Sequence, residues 1–149
     1  MPLRRLLAAL ALSLLATGSL AACGDGGADV SATAGAAATA APAAGSHLDA
    51  AGFAAALRRP GTTVLDVRTP AEFAAGHLPG AVNVDIEGAA FGTQLAALDP
   101  AGAYAVYCRS GSRSAAALDA MAQAGFTGAY DLAGGIGAWQ QAGGEVVTG

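Results

Sequence analysis

The chain is predicted to be an α/β protein, with a central parallel sheet covered by helices on both faces. Three observations point there. Short apolar runs rich in Val, Leu, Ile and Tyr alternate with helix-like stretches through residues 46–149. Proline and glycine punctuate the junctions between them. The large apolar side chains fall inside these runs, while the 54% hydrophobic content is inflated by alanine and diluted by 22 glycines.

Each element has its own signal. Residues 48–59 read as a helix with Leu48, Phe53, Ala56 and Leu57 able to share a face, stopped by Pro60-Gly61. Residues 62–67 (Thr-Thr-Val-Leu-Asp-Val) form a β-branched run suited to a buried parallel strand. Thr69-Pro70-Ala71-Glu72 is a capping box with proline at the first helical position, so a short helix begins there and ends at Gly76. Residues 81–84 read as a second strand, 87–98 as a helix closed by Asp99-Pro100, and 103–107 as a third strand. A helix over 113–124, a strand over 128–132 and a last helix over 136–141 complete the alternation.

The N-terminal third is different. Arg4 and Arg5 precede an apolar stretch over residues 6–17, too short to span a membrane but of the proportions of a signal-peptide core. Leu20-Ala21-Ala22-Cys23 resembles the bacterial lipobox, which implies cleavage before Cys23 and a lipid on its sulfur. Residues 1–22 are therefore expected to be a lipoprotein signal peptide. Residues 23–45 are expected to be the lipidated Cys23 followed by a flexible Ala/Gly-rich tether, since Val30 is their one large apolar side chain after Cys23. Residues 46–149 are expected to be the single folded domain, exported and held at the outer side of the cell membrane by the lipid. A formal charge of −4 and the absence of lysine argue against a nucleic-acid partner. Arg58-Arg59 reads as a solvated helix end.

In open parallel sheets, sites form at the carboxyl ends of the strands. The strand over 103–107 delivers Cys108 to such an end, followed by Arg109-Ser110-Gly111-Ser112 and a helix starting near Arg113. A cysteine facing a helix N-terminus sees the positive end of the helix dipole and unpaired backbone amides, both of which favour thiolate. Arg109 and Arg113 add positive charge, Gly111 permits a tight turn, and Ser110 and Ser112 offer small hydroxyl donors.

Cys108-Arg109-Ser110-Gly111-Ser112-Arg113 resembles the active-site loop of the rhodanese family. Leu65-Asp66-Val67-Arg68, Glu72-Phe73, Gly76-His77-Leu78-Pro79-Gly80-Ala81 and Leu132-Ala133-Gly134-Gly135-Ile136-Gly137-Ala138-Trp139 resemble further family segments in the same order. Any one is weak; five in register are specific, and they cover essentially all of the predicted domain. The resemblance implies a rhodanese-like three-layer domain and a sulfurtransferase that passes sulfane sulfur through a Cys108 persulfide. Cys108 would be the catalytic nucleophile and the loop from Arg109 to Arg113 the substrate cradle, with Arg113 or Arg109 attracting an anionic donor such as thiosulfate. The acceptor would be a thiol or a cyanide-like nucleophile.

Asp66 and Arg68 match the family's Asp-x-Arg element and would support the site through a salt bridge, while Thr69 and Glu72 act as caps, His77 as a turn residue and Trp139 in packing. No metal or organic cofactor is implied; His47 and His77 are the only histidines, and Cys108 is the only cysteine of residues 46–149. Related cysteine phosphatases place five residues between cysteine and arginine, whereas four separate Cys108 from Arg113 here, a cradle better matched to sulfur than to phosphate. A non-enzymatic persulfide carrier and a thiol-dependent, arsenate-type oxyanion reductase remain compatible with the same loop.

Overall fold

The computed structural model describes residues 30–149. The proposed signal peptide and Cys23 lie outside the described residues. Five strands form one sheet: β1 (His47–Leu48), β2 (Thr62–Asp66), β3 (Val82–Asn83), β4 (Ala103–Tyr107) and β5 (Ala129–Leu132). Their order is β1-β5-β4-β2-β3, with every pair parallel. Four helices connect them, α1 (Ala50–Leu57), α2 (Pro70–Ala75), α3 (Phe91–Ala96) and α4 (Ser112–Gln123), and α5 (Gly135–Gln141) follows β5. The predicted class, a parallel sheet with helices on both faces, is the class observed.

Two cores flank the sheet. Alternate residues of β4 divide between them, as strand geometry requires. Tyr104, Val106 and Cys108 join Leu65, Val67 and Val84 in packing against Leu95 of α3 and Ala117, Leu118 and Met121 of α4. Ala105 and Tyr107 join Tyr130 and Leu132 in packing against Phe53, Ala56 and Leu57 of α1 and Ile136 and Trp139 of α5. Phe53 meets Tyr130 and Trp139 edge-on, with ring centroids 6.1 and 6.3 Å away. Trp139 is fully buried, in keeping with a packing role, and its indole N–H donates to the Glu145 carbonyl at 2.8 Å.

Several boundaries differ from the sequence reading. The helix expected over 48–59 is shorter, because Leu48 is strand. His47 and Leu48 pair with Asp131 and Leu132, and the Asp49 carboxylate then caps α1 by accepting from the Gly52 amide at 2.8 Å. Without β1, one edge of the buried strand β5 would lack backbone partners. The helix expected over 87–98 is confined to Phe91–Ala96. Asp85 accepts from the Glu87 amide at 2.9 Å, and its carbonyl from Gly88, so this stretch turns before it coils. The capping box at Thr69 and Glu72 forms as expected.

The described part of the expected tether, residues 30–45, runs against the domain. The Val30 amide donates to the Ala142 carbonyl (3.0 Å), Ala38 to Ala55 (2.8 Å) and Gly45 to Ala129 (2.8 Å). Arg58 donates to the Ser31 and Ala36 carbonyls and Arg59 to that of Ala38. Composition alone hides this, because the partners are backbone carbonyls, which every residue carries. The two arginines are thus the clasps of a strap, not a solvated helix end. Among the described residues, no helix is long and apolar enough to cross a membrane.

Candidate active site

β4 is the central strand, and its apolar residues bury it on both faces. The chain leaves it at Cys108, whose side chain lies on the α4 face and is almost wholly buried. Three residues on, Gly111 takes φ 104°, a conformation that a side chain would strain. That turn aims the Gly111 amide at Cys108 Sγ, at 3.0 Å. α4 begins at the next residue, so the sulfur also faces the positive end of a helix of 12 residues.

Burial alone would push the Cys108 thiol up. Hydrogen bonds from the Ser114 backbone and hydroxyl, and from the Ser110 and Gly111 amides, outweigh it and hold the thiol below its ordinary value. Those groups favour the thiolate over the thiol at Cys108.

A second glycine turn supports the loop from behind. Gly134 and Gly135 both have positive φ, and they bring the first turn of α5 against the loop. The Ile136 amide donates to the Cys108 carbonyl at 2.8 Å and the Gly137 amide to that of Arg109 at 3.3 Å. A Cβ on Gly135 would stand 2.4 Å from the Cys108 carbonyl oxygen, closer than any side chain can approach. The fixed glycines in the segment after β5 therefore set where Cys108 sits.

The arginines divide. Arg109 is exposed at the mouth, beside exposed Ser110 and Ser112. Arg113 instead makes a two-pronged pair with Glu72, at 2.8 Å from each carboxylate oxygen, and reaches Glu87 at 3.3 Å. Hydrogen bonding to Arg113 lowers Glu72 to about 2, and Glu72 in turn raises Arg113. Much of the Arg113 charge expected to meet a donor is thus neutralised within the protein, and its side chain ties α4 to α2.

Asp66 and Arg68 do form a salt bridge. Arg68 Nε lies 2.9 and 3.0 Å from the two Asp66 carboxylate oxygens, and its Nη2 donates to the Gly76 carbonyl at 2.7 Å. The guanidinium also lies 5.6 Å from the centroid of the Tyr107 ring. Burial works against the Arg68 charge, but Asp66 more than offsets it and keeps its pKa raised. His77 stacks on Phe73 at 3.8 Å and bridges to Val147, as a turn residue would.

Four contributors were not singled out for the site from sequence: Ser114, Asp131, His47 and Gly135. The ion-pairing of Glu72, read only as a cap, was also missed. Ser114 is fully buried in the first turns of α4, and its hydroxyl lies 2.7 Å from Asp131 on β5. Asp131 in turn lies 2.6 Å from His47 Nδ1 on β1. A buried aspartate in an otherwise apolar strand was the available signal.

Comparison with known proteins agrees with this geometry. A model of the rhodanese-like domain matches residues 49–142. A chloroplastic thiosulfate sulfurtransferase of Arabidopsis thaliana is 40% identical over 93 residues, spanning 56% of this chain and 78% of that protein. The thiosulfate sulfurtransferase GlpE of Pseudomonas entomophila is 37% identical over 87 residues, 58% of this chain and 78% of that one. Among solved structures, a rhodanese-related protein of Thermoplasma volcanium superposes with a TM-score of 0.62 at 33% identity, covering 70% of this chain and 99% of its own.

Proposed function

The chain belongs to the rhodanese-like family, and from that premise we propose that it is a sulfurtransferase working through a persulfide on Cys108. The observation that carries the proposal is the Cys108 sulfur, fixed at the end of β4 and stabilised as thiolate by the Gly111 amide, 3.0 Å away at the start of α4.

The reaction has two steps. The Cys108 thiolate attacks the outer sulfur of thiosulfate, an S–S bond forms, and the old S–S bond breaks with its electron pair leaving on sulfite. Charge balances: thiolate and thiosulfate become persulfide and sulfite. An acceptor nucleophile then attacks the outer persulfide sulfur and regenerates the thiolate. Cyanide leaves as thiocyanate; a thiol acceptor loses its proton and leaves as a persulfide.

The loop amides that stabilise the thiolate suit the persulfide anion equally, because both present negative sulfur to the same donors. Arg109 is the cation that greets the donor at the mouth, while Arg113 and the Asp66–Arg68 pair hold the walls. Cys23, lipidated after removal of residues 1–22, would tether this chemistry to the outer side of the cell membrane.

Steady-state kinetics test the scheme, using the chain with Cys23→Ser so that one thiol remains. Varying thiosulfate at several cyanide concentrations should give parallel double-reciprocal lines. Intersecting lines would contradict a free persulfide intermediate. A persulfide that forms but passes to no small acceptor would make the protein a carrier. Failure to load, with arsenate consumed in the presence of added thiol, would make it an oxyanion reductase.

A further inference from the structure

Cations are few among the described residues. Of the five arginines there, Arg58 and Arg59 clasp the strap and Arg68 pairs with Asp66, which leaves Arg109 and Arg113 beside the sulfur. Arg113 already holds one full counter-charge, the Glu72 carboxylate, at 2.8 Å from each oxygen. Glu87 adds a second. Its Oε2 lies 3.3 Å from Arg113 Nη1, and its side chain is 64% exposed.

The backbone fixes where Glu87 stands. The Val84 amide donates to the Asp66 carbonyl and the Ile86 amide to that of Val67, which carries the chain past the carboxyl end of β2. Asp85 Oδ1 then accepts from the Glu87 amide at 2.9 Å. Glu87 is thus at the same end of the sheet as Cys108, on the rim beside the first turn of α4.

An exposed pair of this kind contributes little to stability, and Glu72 alone ties Arg113 to α2. What Glu87 changes is the charge of the rim. Arg109 and Arg113 offset Glu72 and Glu87, and the Cys108 thiolate makes the whole negative. Coulomb energy scales with the charge of the incoming molecule, so a dianion feels the second carboxylate twice as strongly as a monoanion.

We propose that Glu87 is a specificity-determining residue, which turns the site from dianionic thiosulfate toward sulfane donors with a single negative charge, such as organic thiosulfonates and thiol persulfides. The bond changes stay the same. With methanethiosulfonate, the Cys108 thiolate attacks the terminal sulfur, a new S–S bond forms, and the old one breaks with its electron pair leaving on methanesulfinate. Two negative charges enter and two leave. This donor carries a methyl group where thiosulfate carries a charged oxygen, so comparing the two isolates charge.

The inference rests on the sulfurtransferase reading above. Its test measures kcat/KM for each donor, with cyanide as acceptor and the uncatalysed rate subtracted, in the Cys23→Ser chain with and without Glu87→Gln. The variant should raise kcat/KM about fourfold for thiosulfate and about twofold for methanethiosulfonate, the square and the first power of one screened charge contact. Any effect on the thiol itself is common to both donors, so their ratio is the readout. Glu87→Lys should widen the gap. In about 1 M salt, where the Debye length is about 3 Å, the gap should close.

No gain, equal gains for the two donors, or a gap that salt leaves untouched would overturn the proposal. Sulfur transfer from neither donor is a different result: it would overturn the sulfurtransferase reading itself, and the inference with it.

Discussion

The strands β2 and β4 lie side by side in register, Asp66 opposite Tyr107, and each ends in a loop that carries an arginine. The two loops use their polar groups in opposite ways. After β2, both Asp66 carboxylate oxygens bind Arg68, the Arg68 backbone amide donates to Asp66 at 3.0 Å, and Asn83 closes the Asp66 and Arg68 carbonyls at 3.0 and 2.8 Å. That loop is buried and internally complete. After β4, the backbone amides converge on one sulfur, while Arg109, Ser110 and Ser112 face solvent. A loop whose donors converge on a reactive atom is built for chemistry; one whose donors find fixed partners is built to hold shape.

Breaking the pair in the first loop should have the largest effect. Asp66→Ala leaves the Arg68 guanidinium buried without its counter-charge, a loss of about 3–5 kcal/mol, read as a lower denaturation midpoint. Ser110→Ala at the open loop should stay within about 0.5 kcal/mol. Equal losses would erase the contrast between the loops.

Gly135→Ala comes next, because its Cβ would collide with the Cys108 carbonyl at a backbone φ of 59°. It should cost about 1–3 kcal/mol and also slow alkylation of Cys108, since the loop must shift to admit the methyl group. Stability lost with thiol reactivity unchanged would mean that α5 does not position the loop.

Arg109→Ala should leave stability within about 0.5 kcal/mol and raise KM for thiosulfate about two- to fivefold, the worth of an exposed charge contact. An unchanged KM would return the donor-binding role to Arg113.

The smallest effect belongs to Glu72. Its folded pKa, about 2, lies below the ordinary 4.5, so its pair with Arg113 stabilises the fold fully above about 4.5. The contribution is lost as pH falls toward 2. Glu72→Gln should therefore reduce stability near neutrality by less than about 1 kcal/mol and flatten its decline across that acid window. Parallel declines in the two proteins would contradict the pairing.

Much of the fold was legible because it rests on local signals. The β-branched run before Asp66, the capping box at Thr69 and the glycines around Cys108 each act within a few residues, and β2, β4, α2 and α4 lie close to where these place them. What was missed depends on partners distant in the chain. β1 is only two residues long and exists because β5 has an edge to pair. The strap is held by Arg58 and Arg59 reaching back over 20 residues to carbonyls.

The candidate site divides the same way. Cys108 and its loop are contiguous and could be read directly. Glu72 meets Arg113 across 41 positions and His47 meets Asp131 across 84, and no periodicity or spacing signals such contacts.

The most direct test of the central claim is the mass of the Cys23→Ser chain after incubation with thiosulfate and removal of excess donor. The account predicts one added sulfur atom, located on the Cys108 peptide, removed by cyanide and absent from Cys108→Ser. A folded, reduced protein that gains no sulfur, or gains it equally when Cys108 is serine, would contradict it.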